Sequence, residues 1–195
     1  MNPKTFIIIG RSGCGKGTQV ELLMADLKVK EPNRAIFHLE TGNKFRELSK
    51  TVGYTSSLVK AVGDAGGLQP EFLAIWNWGS QFIENLREDD HLILDGLCRR
   101  LYETIILDRA LPFYKRENVT VIVIDVSNDW AFKRLKARSR HDDTDQGIMN
   151  RLKWYDTEVI PSIDFFKKNS KYRVIEVNGE QSIEDVHKEI SKKLS

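Results

Sequence analysis

The stretch Thr5-Phe-Ile-Ile-Ile-Gly10-Arg-Ser-Gly13-Cys14-Gly15-Lys16-Gly17-Thr18-Gln19 decides how the rest of the chain is read. Phe6 to Ile9 is an uninterrupted apolar run, the pattern of a strand buried on both faces. The glycines that follow let backbone N–H groups curl round an anion with no Cβ in the way. Lys16 adds a point charge for outer phosphates, and a helix starting beside it turns its positive end to the same place. The loop reads as a seat for the triphosphate of a nucleotide, formed by Gly13, Cys14, Gly15, Lys16, Gly17 and Thr18. In the common form of this loop a Ser or Thr follows the lysine directly. Here Gly17 intervenes and the hydroxyl belongs to Thr18, so the usual hydroxyl ligand for Mg²⁺ is out of its usual place.

Around this loop the chain is of one-domain length, 195 residues. A hydrophobic share of 41% and a charged share of 30% fit a soluble globular protein. A net charge of +2 gives no global case for nucleic acid or a membrane surface, and no stretch reaches transmembrane length. Met1-Asn-Pro-Lys4 runs straight into the first strand, which leaves no room for a signal peptide. Cys14 and Cys98 both lie in candidate site loops, which argues against a structural disulfide and for a reducing cytoplasm. No Cys/His cluster has zinc spacing.

Apolar β-branched segments alternate with helical patterns. Strands are predicted at 5–9, 35–39, 92–94, 120–126 and 172–177. Helices are predicted at 16–29, 43–51, 56–65, 71–87, 101–115, 129–137, 144–167 and 183–193. The alternation calls for a parallel sheet with helices on both faces. Residues 43–87 hold helices without a strand, as an insertion beside the sheet would. Phe72, Leu73, Ile75 and Trp76 recur at helical spacing and read as core.

Ligands of open parallel sheets bind beyond the carboxyl ends of the strands, and three more clusters fall there. After the second strand, Thr41 offers a hydroxyl, Gly42 a close backbone approach and Arg46 a forked phosphate clamp. Helix capping by Thr41 or Asn43 beside a solvated arginine explains the same residues. After the third strand, Asp95 is suited to hold Mg²⁺ through water, and Arg99 follows Gly96 within reach of a second phosphate group. The last cluster is basic: Arg134, Arg138, Arg140 and Arg151. Arg134 and Arg138 share a helix face, and arginine rather than lysine at all four positions suits bidentate phosphate binding. Asp142 and Asp143 fit either as neutralising partners for these arginines or as caps of the next helix.

Together these clusters resemble the adenylate kinase and nucleoside monophosphate kinase family, short-lid type, over nearly the whole chain. Gly10 to Gln19 looks like its GxPGxGKGTQ loop, and Thr41 to Arg46 like its TGDxxR. Gly66 to Pro70 looks like GxLVP, and Asp95 to Arg99 like DGFPR. Arg134 and Arg138 are similar to RxxxR; Arg140 to Asp143 and Arg151 to Tyr155 are similar to RxDD and RLxxY. The resemblance implies an α/β P-loop NTPase fold, a five-stranded parallel sheet flanked by helices, with a helical NMP-binding insert at about 41–70 and a short lid at about 138–147. It implies transfer of the ATP γ-phosphoryl group to a nucleoside monophosphate, with ATP and Mg²⁺ bound and no partner beyond nucleotides, in a monomer. Lys16 and the loop would hold the ATP phosphates, Arg46 and Arg99 the acceptor phosphate, and Arg134, Arg138, Arg140 and Arg151 the transferring group. Gly179 is similar to the late loop that packs on adenine.

Departures from the family pattern fall on the acceptor side. Asn43 replaces Asp, Gln69 replaces Val near the acceptor base, and Leu97-Cys98 replaces Phe-Pro, which predicts an altered or strained loop. Glu103 stands where adenylate kinases place a Gln that pairs with the AMP base. A carboxylate accepts from adenine N6 but repels N1, whereas it accepts both N1–H and N2–H of guanine. Thr41 is the residue the adenine-specific members carry. The expected acceptor is therefore AMP, with GMP or dGMP as competitor; a nucleotide-binding sensor with weak transfer is the alternative of a different class.

Overall fold

A computed structural model describes residues 2–138, 143–169 and 171–195. The strands β1 (Thr5–Gly10), β2 (Ile36–Glu40), β3 (His91–Asp95), β4 (Thr120–Asp125) and β5 (Arg173–Asn178) form one sheet in the order β2-β3-β1-β4-β5, with parallel pairings throughout. The helices are α1 (Lys16–Lys30), α2 (Thr41–Leu48), α3 (Tyr54–Asp64), α4 (Glu71–Asn85), α5 (Leu101–Phe113), α6 (Asn128–Arg138), α7 (Asp145–Trp154), α8 (Ile160–Lys168) and α9 (Ile183–Leu194). All five predicted strands are present, their ends shifted by a residue or two.

The apolar run of β1 is buried on both sides, and the pleat explains how. Phe6 and Ile8 face a layer with Val20, Leu23 and Leu27 of α1 and Val186 and Ile190 of α9. Ile7 and Ile9 face the opposite layer, with Trp78 and Phe82 of α4, Leu107 and Leu111 of α5, and Phe166 of α8. Each such fully buried side chain contributes about 1.5–3 kcal/mol. Successive strands fill first one side of β1 and then the other, so the loop after β1 opens at the centre of the sheet's carboxyl edge.

Three helical predictions need correction. The helix after β2 begins at Thr41, not at residue 43. Its C-cap at Ser49 donates to Phe45 O, and the bend Thr51-Val52-Gly53 precedes α3. The long helix predicted at 144–167 is interrupted by one π-helical turn, Tyr155–Val159. Pro161 has no N–H for the carbonyl of Thr157 and its ring would crowd it, so Ile160 reaches back to Tyr155 O instead. The reading of Phe72 and Trp76 as core is also wrong: Leu73 is buried, but Phe72 and Trp76 face outward. The run Phe72-Leu73 to Ile75-Trp76 is wider than the buried stripe of α4, which centres on Trp78 and Phe82.

Candidate active site

Local backbone chemistry builds the first wall. Gly13 and Gly15 have φ of 87° and 93°, in the left-handed region, and Gly15 caps α1 with no side chain of its own to offer. A Cβ on Gly13 would lie 2.9 Å from Ala131 O, so the loop is pressed onto α6. Lys16 Nζ donates to Gly10 O at 2.7 Å and Arg11 O at 3.0 Å. Arg11 braces the loop from behind: its Nε donates to Val126 O at 2.9 Å, NH1 pairs with Asp156 at 2.6 Å, and its guanidinium lies 4.3 Å from the Tyr155 ring centroid. The π turn thus supplies two of the groups that hold the loop. Cys14 is buried beneath it, its N–H donating to Arg11 O.

The loop opens into a cleft of about 1430 Å³. Pockets that take a single drug-sized ligand measure roughly 300–1,000 Å³, so this cleft has room for two ligands side by side. Gly13, Gly15, Lys16, Gly17, Thr18, Thr41, Gly42, Arg46, Gln69, Asp95, Gly96, Arg99, Glu103, Arg134, Arg138 and Arg151 all stand on its wall. Arg100 adds a further guanidinium, making six arginines and Lys16 around one space in a chain of net charge +2. Gly179 lies elsewhere, after β5, where its N–H donates to Asp125 O and a Cβ would meet Ile124 and Val126 at 2.7 Å. Arg140 lies outside the described residues, as do 139, 141 and 142 of the expected lid.

Arg100 NH1 lies 3.7 Å from Glu71 Oε1, and the other five arginines have partners of their own. Arg46 NH2 donates to Glu40 Oε1 at 2.9 Å. Arg99 Nε donates to Gly96 O at 2.7 Å, and its guanidinium lies 5.9 Å from the Trp154 ring. Arg134 lies 5.8 Å from the Trp130 ring. Arg138 grips Asp143 with two bonds of 3.0 and 2.9 Å, and Arg151 NH2 reaches the same carboxylate at 2.7 Å. Of the two readings of Asp143, neutralising partner is therefore correct; the cap of α7 is Thr144, whose hydroxyl accepts the Gly147 N–H at 3.1 Å.

On the acceptor side, Thr41 is a joint between two strands: its hydroxyl donates to Gly96 O at 2.8 Å. Gln69 donates to Val59 O at 2.9 Å and so braces the loop before α4 against α3. That loop is docked on α7 at three places. Trp154 Nε1 donates to Gly66 O at 3.1 Å, Asn150 donates to Ala65 O at 2.8 Å, and Gly66 is so close to Gly147 that a Cβ would sit 2.4 Å from its oxygen. Cys98 has a φ of 58°, a left-handed conformation that costs a non-glycine residue about 1–2 kcal/mol. The strain predicted for Leu97-Cys98 is located in that residue. Glu103, in the first turn of α5 and 3% exposed, accepts the Arg99 N–H at 2.9 Å. Burial pushes its carboxyl up, against the pull of the Arg99, Cys98 and Arg100 amides and the Arg99 charge.

Asp95 is the last residue of β3 and nearly buried. Burial raises its carboxyl and the Lys16 charge opposes that. Among the described residues no group of three His, Cys, Asp or Glu forms a metal cage. Asp95, with Glu40 its register partner on β2, offers too few ligands for such a cage and instead fits Mg²⁺ held mainly by phosphate oxygens and waters. No sequence pattern picks out His38, Glu40 or Trp154, yet all three stand on the wall. Glu40 carries a signal only in hindsight, as an acid at a strand end beside an arginine.

The chain matches the family described as adenylate kinase over residues 8–171. It is 29% identical over 189 residues to adenylate kinase 1 of Nostoc sp., covering 97% of each chain. It is 29% identical to the adenylate kinase of Leptospira biflexa, covering 98% of this chain and all of the other. Against the adenylate kinase of Mycolicibacterium paratuberculosis it is 32% identical over 169 residues, or 85% of this chain and 87% of the relative.

Proposed function

The chain belongs to the adenylate kinase family, and we propose that it moves the γ-phosphoryl group of ATP to AMP, giving two ADP. The observation that carries the reading is the convergence of Lys16 and Arg46, Arg99, Arg134, Arg138 and Arg151 on one cleft with room for two nucleotides. Phosphoryl transfer asks for in-line positioning and charge neutralisation rather than a strong base. Lys16 and the N–H groups at the start of α1 bind the β- and γ-phosphates. Arg46 and Arg99 clamp the acceptor α-phosphate, 41–70 being the acceptor insert. Arg134, Arg138 and Arg151, with Arg140, neutralise charge on the group in flight. Glu40, paired with Arg46, and Asp143, paired with Arg138 and Arg151, keep those guanidiniums aimed until phosphate oxygens compete for them. Mg²⁺ bound with ATP, near Asp95, supplies further neutralisation. The 138–147 segment acts as the lid, excluding water that would turn transfer into hydrolysis. Two free thiols, Cys14 and Cys98, favour a cytoplasmic setting.

A second acceptor, GMP or dGMP, is favoured by one observation: the wall offers the Glu103 carboxylate, which accepts two donors from guanine and none from adenine N1. Turnover of ATP with AMP, GMP, CMP, UMP and dTMP separates these readings. Fastest turnover with AMP supports the proposal. Preference for GMP transfers the reading to guanine, and binding of ATP without transfer to any acceptor sinks it.

A further inference from the structure

We propose that the outer face of α4 and α5 is a self-association surface that seats a second copy of this chain. Both helices present the same spacing outward: Phe72, Trp76, Gly79, Ile83 on α4 and Tyr102, Ile106, Arg109, Phe113 on α5. The steps of four, three and four are those of a helix-packing seam. The two helices run side by side in matched register. Arg100 pairs with Glu71 at 3.7 Å at their starts, and the Phe82 and Tyr114 rings meet at 5.5 Å at their ends. The two stripes therefore form one surface.

That surface is unusually apolar for solvent. Phe72 is 69%, Trp76 51%, Ile83 81%, Tyr102 73% and Phe113 80% exposed. With the 150–250 Å² such aromatic side chains carry, the patch amounts to roughly 700 Å². A standard interface buries about 800 Å² per partner, so the patch is of the size a stable two-fold dimer needs. Gly79 is a second, independent observation. Glycine inside a helix costs about 1 kcal/mol against alanine, and a Cβ here would meet nothing within 4 Å. Nothing among the described residues asks for glycine at that point, whereas close approach of another helix does. A two-fold axis near Gly79 sets Trp76 of one copy against Ile83 of the other.

Charge selects the occupant. The rim is mixed, with Glu71, Arg100 and Glu158 at one end and Lys115 with Glu88 at the other. A second copy meets such a rim without like-charge repulsion, whereas an anionic membrane favours a basic one. On this proposal the chain pairs with itself, where the family resemblance implies a monomer.

Sedimentation velocity of the full chain, from micromolar to submillimolar loading, tests the proposal. The expected species has twice the 22.5 kDa chain mass. Trp76→Glu and Ile83→Glu, both off the cleft, should each halve that mass while ATP-to-AMP turnover stays intact and reports folding. Gly79→Ala should weaken association roughly tenfold while raising the melting temperature. A wild-type chain at single-chain mass throughout overturns the proposal, as does a dimer indifferent to both glutamates. Co-sedimentation with phosphatidylglycerol vesicles without self-association reassigns the face to membrane and also overturns it.

Discussion

Replacing Glu103 by alanine probes how the acceptor side keeps its shape. The Glu103 carboxylate holds the Arg99 N–H at 2.9 Å, within a turn that also carries the left-handed Cys98. Its removal strands a buried donor, which costs about 1–3 kcal/mol, and a bond to a charged acceptor lies at the upper end of that range. Release of the buried charge gives part of this back, since burial is the largest influence on the carboxyl. The net loss is roughly 2 kcal/mol, or about 4–8 °C in Tm for a chain of this size. Arg99 then loses its fixed origin, so kcat/KM for the monophosphate should fall about ten- to a hundredfold, while KM for ATP moves less than about twofold. Glu103→Gln keeps one acceptor oxygen, so its rate loss should be small and its preference should shift toward AMP. The sign of the pH effect follows from the raised carboxyl. Stability linked to Glu103 is full below the unfolded value near 4.5 and is lost as pH rises through the higher folded value. The Tm of Glu103→Gln minus that of wild type should therefore grow over that interval and then level. Calorimetry from pH 4.5 to 8 and a coupled assay on both substrates read these quantities. Equal effects on ATP and monophosphate, or a Tm difference that falls with pH, would contradict the role given to Glu103.

Three other perturbations separate the parts of the site. Lys16→Met should lower kcat about 10²–10³-fold with little change in Tm, measured by coupled assay and calorimetry. Asp143→Ala leaves Arg138 and Arg151 without their shared carboxylate; breaking a buried pair costs about 3–5 kcal/mol, so Tm should drop by roughly 10 °C and KM for ATP should rise. Gly66→Ala forces a Cβ to within 2.4 Å of Gly147 O at a φ of 65°, so the loop before α4 should lift off α7; KM for the monophosphate should rise severalfold, with KM for ATP unchanged.

The phosphate loop was legible because its glycines answer backbone demands that act over a few residues. Gly13 and Gly15 need left-handed φ, and Lys16 need only follow them. The central strands β1, β3 and β4 were legible because burial on both faces leaves no polar alternation to misread. Long-range pairings carry no such mark. Nothing near Gly66 announces Gly147, and nothing near Thr41 announces Gly96 O, since each contact is decided by how whole layers pack. The π turn was hidden because Pro161 looks like an ordinary helix-start proline until the residues before it prove helical. Phe72 and Trp76 misled for a related reason: apolar spacing reports that a face avoids water, not that this chain itself covers it.

Trp154 gives the molecule an optical gauge. Its indole N–H is tied to Gly66 O, and the Arg99 guanidinium lies 5.9 Å from its ring. Any departure of the 66–69 loop from α7 changes the polarity around one indole and the distance of a cationic quencher from it. The other three tryptophans lie away from this joint, Trp76 and Trp78 on α4 and Trp130 on α6. Emission from a chain retaining only Trp154 would follow acceptor-side motion in real time, without any attached dye.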